Sequence, residues 1–340
     1  MQKRGFLWLA GVTIVLVVLA VFLTGRGERA GPPAASQERA LPQLAGKLAG
    51  LAWIRLSQGG LKTDFAEVNG TWTVIEKGNY PASAGKVRQL LLALSDLSLA
   101  EPKTARPDLF ARLGLDDPKN GHSTLVTLQD RTGATVAELL VGKHRNDRFG
   151  GGEDGVYVRR PNENRTWLAR GSLELSAEPI DWLDRHILSI PQQRIASVAL
   201  TDESGAVVTL HRTAASEPFT VDGAPDGAKL KPPLVVAEPA GALQALEMVD
   251  VKPATELAVP DQGTAKAVYT TFDGLDITLR LVHRDNADWV VIAVSGKGAA
   301  EAEGKTLNDQ LGKWSYAIPA TQANLLRRKL ADLIESPKGS

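Results

Sequence analysis

The chain has 340 residues, no cysteine, and 39 basic against 39 acidic side chains, for a net charge of zero. The lack of cysteine excludes disulfides, thiolate zinc sites and a cysteine nucleophile. A neutral balance leaves no basic excess to neutralise phosphates, so nucleic acid is excluded as an expected partner.

In chain order, the first feature is the apolar run at residues 6–23, FLWLAGVTIVLVVLAVFL, behind Lys3 and Arg4. As a helix it reaches about 27 Å at roughly 1.5 Å per residue, close to a hydrocarbon core of about 30 Å. Residues 1–5 are expected as a cytoplasmic tail and 6–24 as a transmembrane helix, with Phe6, Trp8 and Leu23 as membrane-anchor residues. The cations ahead of the run favour a cytoplasmic N-terminus and an exported body. A cleaved signal peptide is the competing interpretation. The run is longer than the usual apolar region of a signal, and Thr24-Gly25-Arg26-Gly27 offers no small-x-small cleavage site. Residues 25–43, rich in Gly, Pro, Ala and charge, are expected as a flexible linker.

The body divides into two similar modules, 44–190 and 191–336, with an order of elements that repeats. In the first, strands are expected at 51–57 and 71–76. A helix follows behind an N-cap at Ser83, with Val87, Leu90, Leu91, Leu94 and Leu97 at helical spacing. Further strands are expected at 123–129, 135–141, 155–160 and 165–169, then an amphipathic segment through Leu173, Ile180, Leu183 and Leu188. In the second module a hairpin at 195–201 and 207–212 precedes a short helix carrying Leu243, Leu246 and Val249. Strands at 267–272, 276–283, 289–294 and 314–318 lead into a helix over 320–334. Leu94, Leu97 and Leu99 echo Leu246, Val249 and Val251, each set running toward a proline, Pro102 or Pro253. The fold class expected is α+β: an N-terminal transmembrane helix, then two modules of mainly antiparallel sheet with helices packed on one face.

Chemistry is sparse. His122, His144, His186, His211 and His283 show no i,i+4 or i,i+2 pairing, so no metal site is expected, and no serine lies in a GxSxG elbow. Gly150, Gly151 and Gly152 lead into a strand rather than a helix N-terminus, so they make a poor phosphate cradle. The acids beside them do not follow the calcium-loop pattern. The segment is expected as a long hairpin loop, and Asp147, Arg148, Gly151, Glu153 and Asp154 are candidates for partner contact. No cofactor and no catalytic residue are expected.

The ordered motifs YPASAGKVRQLLLALSDL (80–97), ARLGLDDP (111–118), ELLVGK (138–143), VYVRR (156–160) and DWLDRHIL (181–188), followed by GKWSYAIP and LLRRKLADLI, resemble a family of bacterial single-pass envelope proteins known as domain of unknown function 4340. The resemblance implies an accessory role beside ABC-type transport systems related to gliding motility, with no activity or ligand to carry across. The expectation is a non-enzymatic, membrane-anchored, extracytoplasmic accessory protein of the inner membrane. Its partners are the lipid bilayer and ABC-type transporter subunits. The alternative is a periplasmic binding module that takes a glycan, lipid or peptide in the cleft between the two modules, with Trp167, Trp289 and Trp314 as lining candidates.

Overall fold

The computed structural model describes residues 38–335 other than 226 and 261. The expected transmembrane helix, with Phe6, Trp8 and Leu23, lies outside the described residues. Among those described, no helix is long and apolar enough to cross a membrane.

Alternation of apolar and polar side chains dominates the body and produces strands of period two. The first module contains β1 (Leu51–Gln58), β2 (Leu61–Val68), β3 (Thr71–Val74), β4 (Tyr80–Pro81), β5 (Ser98–Pro102), β6 (Thr124–Asp130), β7 (Thr135–Arg145), β8 (Gly155–Arg159) and β9 (Thr166–Arg170). β10 (His186–Leu188) leaves it. The second module holds β11 (Ile195–Thr201), β12 (Val207–His211), β13 (Thr220–Asp222), β14 (Leu246–Glu247), β15 (Asp250–Pro253), β16 (Ala265–Thr271), β17 (Leu275–Arg284), β18 (Ala287–Gly296) and β19 (Trp314–Ile318).

Two large antiparallel sheets result. Their orders are β4-β3-β2-β1-β6-β7-β8-β9-β5 and β13-β12-β11-β16-β17-β18-β19-β15, and a small third sheet pairs β10 with β14. Apart from β4, the second sheet retraces the first strand for strand. The equivalence reaches single residues. Pro102 of β5 lies opposite Trp167 of β9, and Pro253 of β15 lies opposite Trp314 of β19.

The expected α+β class, with helices covering one face, is corrected by this structure: the molecule is mostly antiparallel sheet. Its helices are few: α1 (Ala84–Asp96), α2 (Phe110–Leu113), α3 (Pro233–Ala237), α4 (Glu301–Leu311), α5 (Ala320–Leu326) and α6 (Leu330–Leu333). Tertiary contacts account for the lost helices. The helix expected over 320–334 breaks after Leu326, where three cations turn away to separate anions. Arg327 pairs with Asp288 at 2.7 Å, Arg328 with Glu238 at 2.6 Å and Lys329 with Asp202 at 3.2 Å. The helix expected around Leu243 instead begins as a tight turn, Pro239–Gly241, and continues into β14, which leaves Val249 exposed. Ile180 lies in a 3-10 turn opened by Pro179 and Leu183 follows it, and the chain then extends into β10.

The inner faces of both sheets feed one continuous hydrophobic core, to which Leu90 and Leu94 of α1 also belong. The modules also meet directly. Lys77 and Asp250 form an ion pair of 2.5 Å, and Tyr80 packs against Trp314 and Tyr316. Tyr269, fully buried, donates its hydroxyl to the Pro239 carbonyl at 2.9 Å, satisfying its polar end.

The described end of the expected linker is already part of the fold. The Leu99 N–H donates to the Glu38 carbonyl at 2.8 Å and the Ala40 N–H to the Leu97 carbonyl at 2.7 Å, so the chain adds itself to the edge of β5. Ala40, Leu41 and Leu44 are buried, and Arg160 donates to the Ala40 carbonyl and the Glu38 carboxylate, both at 3.1 Å.

Candidate functional site

The β7–β8 hairpin loop is held by its own side chains. Asp147 sits in the left-handed region at φ 46°, a conformation aspartate tolerates better than most residues. Its carboxylate accepts the Gly152 N–H at 2.8 Å, and its own N–H donates to the Asp154 carboxylate at 2.9 Å. Arg170 donates to Glu153 at 2.7 Å and stacks 4.6 Å above the Phe149 ring. Arg148 reaches Glu101 at 3.3 Å. Lys103 chiefly, opposed by slight burial and assisted by Arg148, holds the Glu101 carboxyl below the usual carboxylate range. Gly151 stands at the tip with nothing within 4 Å of the position a Cβ would take.

Of the five loop residues singled out from sequence, Asp147, Arg148, Glu153 and Asp154 therefore shape the loop. Asp154 also lines a cleft of about 850 Å³ beneath it. Three separate stretches meet there: α1 through Lys86, Gln89, Leu90 and Ala93; the hairpin through His144, Asn146 and Asp154; and residues 172–182. The floor is apolar, formed by Leu90, Ala93, Leu173, Leu175 and Trp182. The rim is polar. Asp154, Glu174 and Asp181 place three carboxylates on it against the single ammonium of Lys86.

The third wall has an unusual backbone. Residues 172–178 run without helix, turn or bend, and residues 172–175 alternate exposed Ser172, buried Leu173, exposed Glu174 and half-buried Leu175. That is the burial pattern of a strand. Among the described residues, however, no main-chain N–H or C=O of residues 172–175 accepts or donates a hydrogen bond. The segment is pinned only at its ends. The Gly171 N–H donates to the Asp154 carbonyl at 3.0 Å, Trp182 Nε1 donates to the Ser176 carbonyl at 2.8 Å, and the buried Thr63 hydroxyl donates to the Ala177 carbonyl at 2.9 Å. Lys86 donates to the Asp181 carbonyl at 2.5 Å, and the Asp181 carboxylate takes the Ser176 hydroxyl at 2.7 Å and Arg185 at 3.1 Å.

Sequence reasoning placed Leu173 in an amphipathic segment with Ile180, Leu183 and Leu188 and missed the cleft. The signal was present as Ser172-Leu173-Glu174-Leu175-Ser176, an alternation of period two rather than 3.6. The space between the modules, where a ligand cleft was the alternative expectation, holds packed rings. Trp314 meets Tyr80 there, whereas Trp289 is buried within the second module beneath the Lys252 ammonium, 4.0 Å from its ring centroid.

The histidines do not converge. His122 faces Asp116 at 3.0 Å, His211 faces Asp222 at 3.3 Å, and His283 faces Asp288 at 2.9 Å, each at a different place. Among the described residues no three His, Asp or Glu side chains are grouped to hold a metal ion. A second cleft of about 480 Å³ lies in the second module, between Leu257, Thr278 and Asn308. β17 and β18, which are paired with each other, form one wall of it.

No curated protein and no solved structure matches the chain. The sequence profile of the family described as Domain of unknown function (DUF4340) matches residues 72–266, more than half of the chain and parts of both modules. The chain belongs to the DUF4340 family.

Proposed function

We propose that this chain is a non-enzymatic interaction protein, held at the inner membrane by the apolar stretch at residues 6–23, with its body on the extracytoplasmic side. It serves as an accessory to an ABC-type transport system or a related envelope complex. The observation that supports this role best is the cleft beside the hairpin loop. It joins an apolar floor, a charged rim and free main-chain groups, which suits recognition of another chain. The sequence supports the location through the charge-free run behind Lys3 and Arg4. The link to transport comes from the family resemblance.

The test is co-purification of the full chain from mildly cross-linked, detergent-solubilised membranes, beside a variant in which residues 148–152 are replaced by a two-residue turn. Recovery of permease or ATPase subunits with the parent and their loss with the loop variant is the expected result. Recovery of none with either contradicts the role, and recovery of the same proteins with both contradicts a contact through the hairpin loop.

A further inference from the structure

The main-chain groups of residues 172–175 pose a question of hydrogen-bond accounting. Backbone donors and acceptors removed from water are almost always paired. The eight main-chain groups of residues 172–175, two from each residue, have no partner among the described residues; Ser172 and Glu174 are exposed, while Leu173 is buried in the core and Leu175 packs against it. The groups on the cleft side are open to an incoming partner. The segment is thus a strand in its side-chain pattern and in its lack of bends, but lacks a neighbouring strand.

The edge of β5 shows how this fold treats such a row. It is covered by residues 38–40 of the chain itself through main-chain bonds. The row at 172–175 is left open to the cleft, where an added segment has room.

We infer that the cleft binds an extended polypeptide segment as an added strand along residues 172–175, its apolar side chains resting on Leu90, Ala93 and Leu175 and its basic side chains reaching Asp154 and Glu174. The inference rests on the proposed role for its choice of a protein partner, and it deepens that role by naming the mode of recognition. Main-chain pairing supplies the affinity, and alternate side chains supply the selection. Charge sets the preference for basic residues: Glu174 is exposed and, among the described residues, takes part in no ion pair or hydrogen bond, so it is available to an incoming cation. Because alternate residues of a strand present their main-chain groups to opposite edges, one added strand engages two of the four residues.

The experiment uses the full chain in detergent micelles and three labelled peptides of about eight residues. One alternates lysine with valine, one alternates glutamate with valine, and the third is the lysine peptide N-methylated on alternate amides. Saturable binding of the lysine peptide is expected, accompanied by slowed hydrogen exchange at the amides of residues 172–175. Glu174→Lys is expected to weaken that binding about tenfold, replacing an attraction with a repulsion. The N-methylated peptide and the glutamate peptide are expected to bind far more weakly. Absence of saturable binding overturns the inference, as does binding that leaves exchange at 172–175 unchanged or tolerates N-methylation. Failure here with a transporter subunit still captured by the parent chain removes the added strand and leaves the accessory role standing. Success here with no subunit captured does the reverse.

Discussion

Tyr80 of the first module lies edge-on to Trp314 of the second, with ring centroids 4.9 Å apart and planes at 73°. The contact ties a short strand at one edge of the first sheet to the strand that carries the Pro253–Trp314 pairing of the second. Beside it, Gly78 adopts φ 66°, and a Cβ there would fall 2.4 Å from Cγ of Pro253. The two modules therefore behave as one cooperative unit. A double-mutant cycle on Tyr80→Ala and Trp314→Ala should give a coupling of about 1 kcal/mol in denaturant unfolding. Two separate unfolding transitions in the parent protein would contradict the shared core.

Gly304 opposes helix propensity with packing. Alanine in a helix interior is ordinarily favoured over glycine by about 1 kcal/mol. A Cβ at Gly304 of α4, however, would stand 2.4 Å from the Gly296 nitrogen and 2.7 Å from the Ser295 carbonyl carbon, both backbone atoms of β18 and its end. Because backbone cannot step aside cheaply, Gly304→Ala should destabilise by about 1–3 kcal/mol. Thermal unfolding measures this, and a raised Tm would show that α4 sits farther from β18.

Asp64 is buried between cross-strand Arg55, which it meets at 2.5 and 3.0 Å, and Lys62 at 3.1 Å. Burial alone would raise its carboxyl pKa. Arg55 and then Lys62 outweigh that and hold it below its ordinary value. A depressed folded-state pKa contributes stability that is present above the unfolded value and is lost as pH falls through the folded one. Asp64→Asn should therefore cost about 2 kcal/mol at neutral pH, and the gap from the parent should close in acid. Urea unfolding at a series of pH values gives the comparison. A gap that persists unchanged at low pH would contradict an ionised Asp64.

Asp202 carries a similar dependence at the surface. The Ser204 hydroxyl chiefly, opposed by slight burial and assisted by Lys329, draws its pKa down to about 2. Its contribution is likewise present above the unfolded carboxylate range and fades as pH falls through about 2. Chemical-shift titration of the carboxyl carbon should show that midpoint in the parent and a rise toward the ordinary value in Ser204→Ala. An ordinary midpoint in the parent would contradict the turn geometry.

The strands were the legible part of this fold. Trp314 to Ile318 occupies the bounds expected from its alternation, and Ile195 to Thr201 does the same. β2 escaped notice because Lys62, Thr63 and Asp64 interrupt its apolar pattern, and only the cross-strand ion pair explains an aspartate there. Helices were over-read where apolar residues at three- and four-residue spacing also suit turns and short strands, as at Leu243 and Leu246. Arg327, Arg328 and Lys329, expected to be solvated on a helix, end it through ion pairs with residues 39 to 127 positions away in sequence. The cleft was illegible for a related reason. Lys86, Asp154 and Glu174 meet only through folding, and no spacing along the chain records it.

Residues 172–175 are proposed as a docking row for another polypeptide, and photo-cross-linking in intact membranes tests that most directly. A cross-linking amino acid at Glu174 should yield a discrete adduct with a protein partner. The same group at Leu234, the most exposed of the large apolar side chains among the described residues at 81%, should not. Adducts of the same mass and yield from both positions, or none from Glu174, would contradict it.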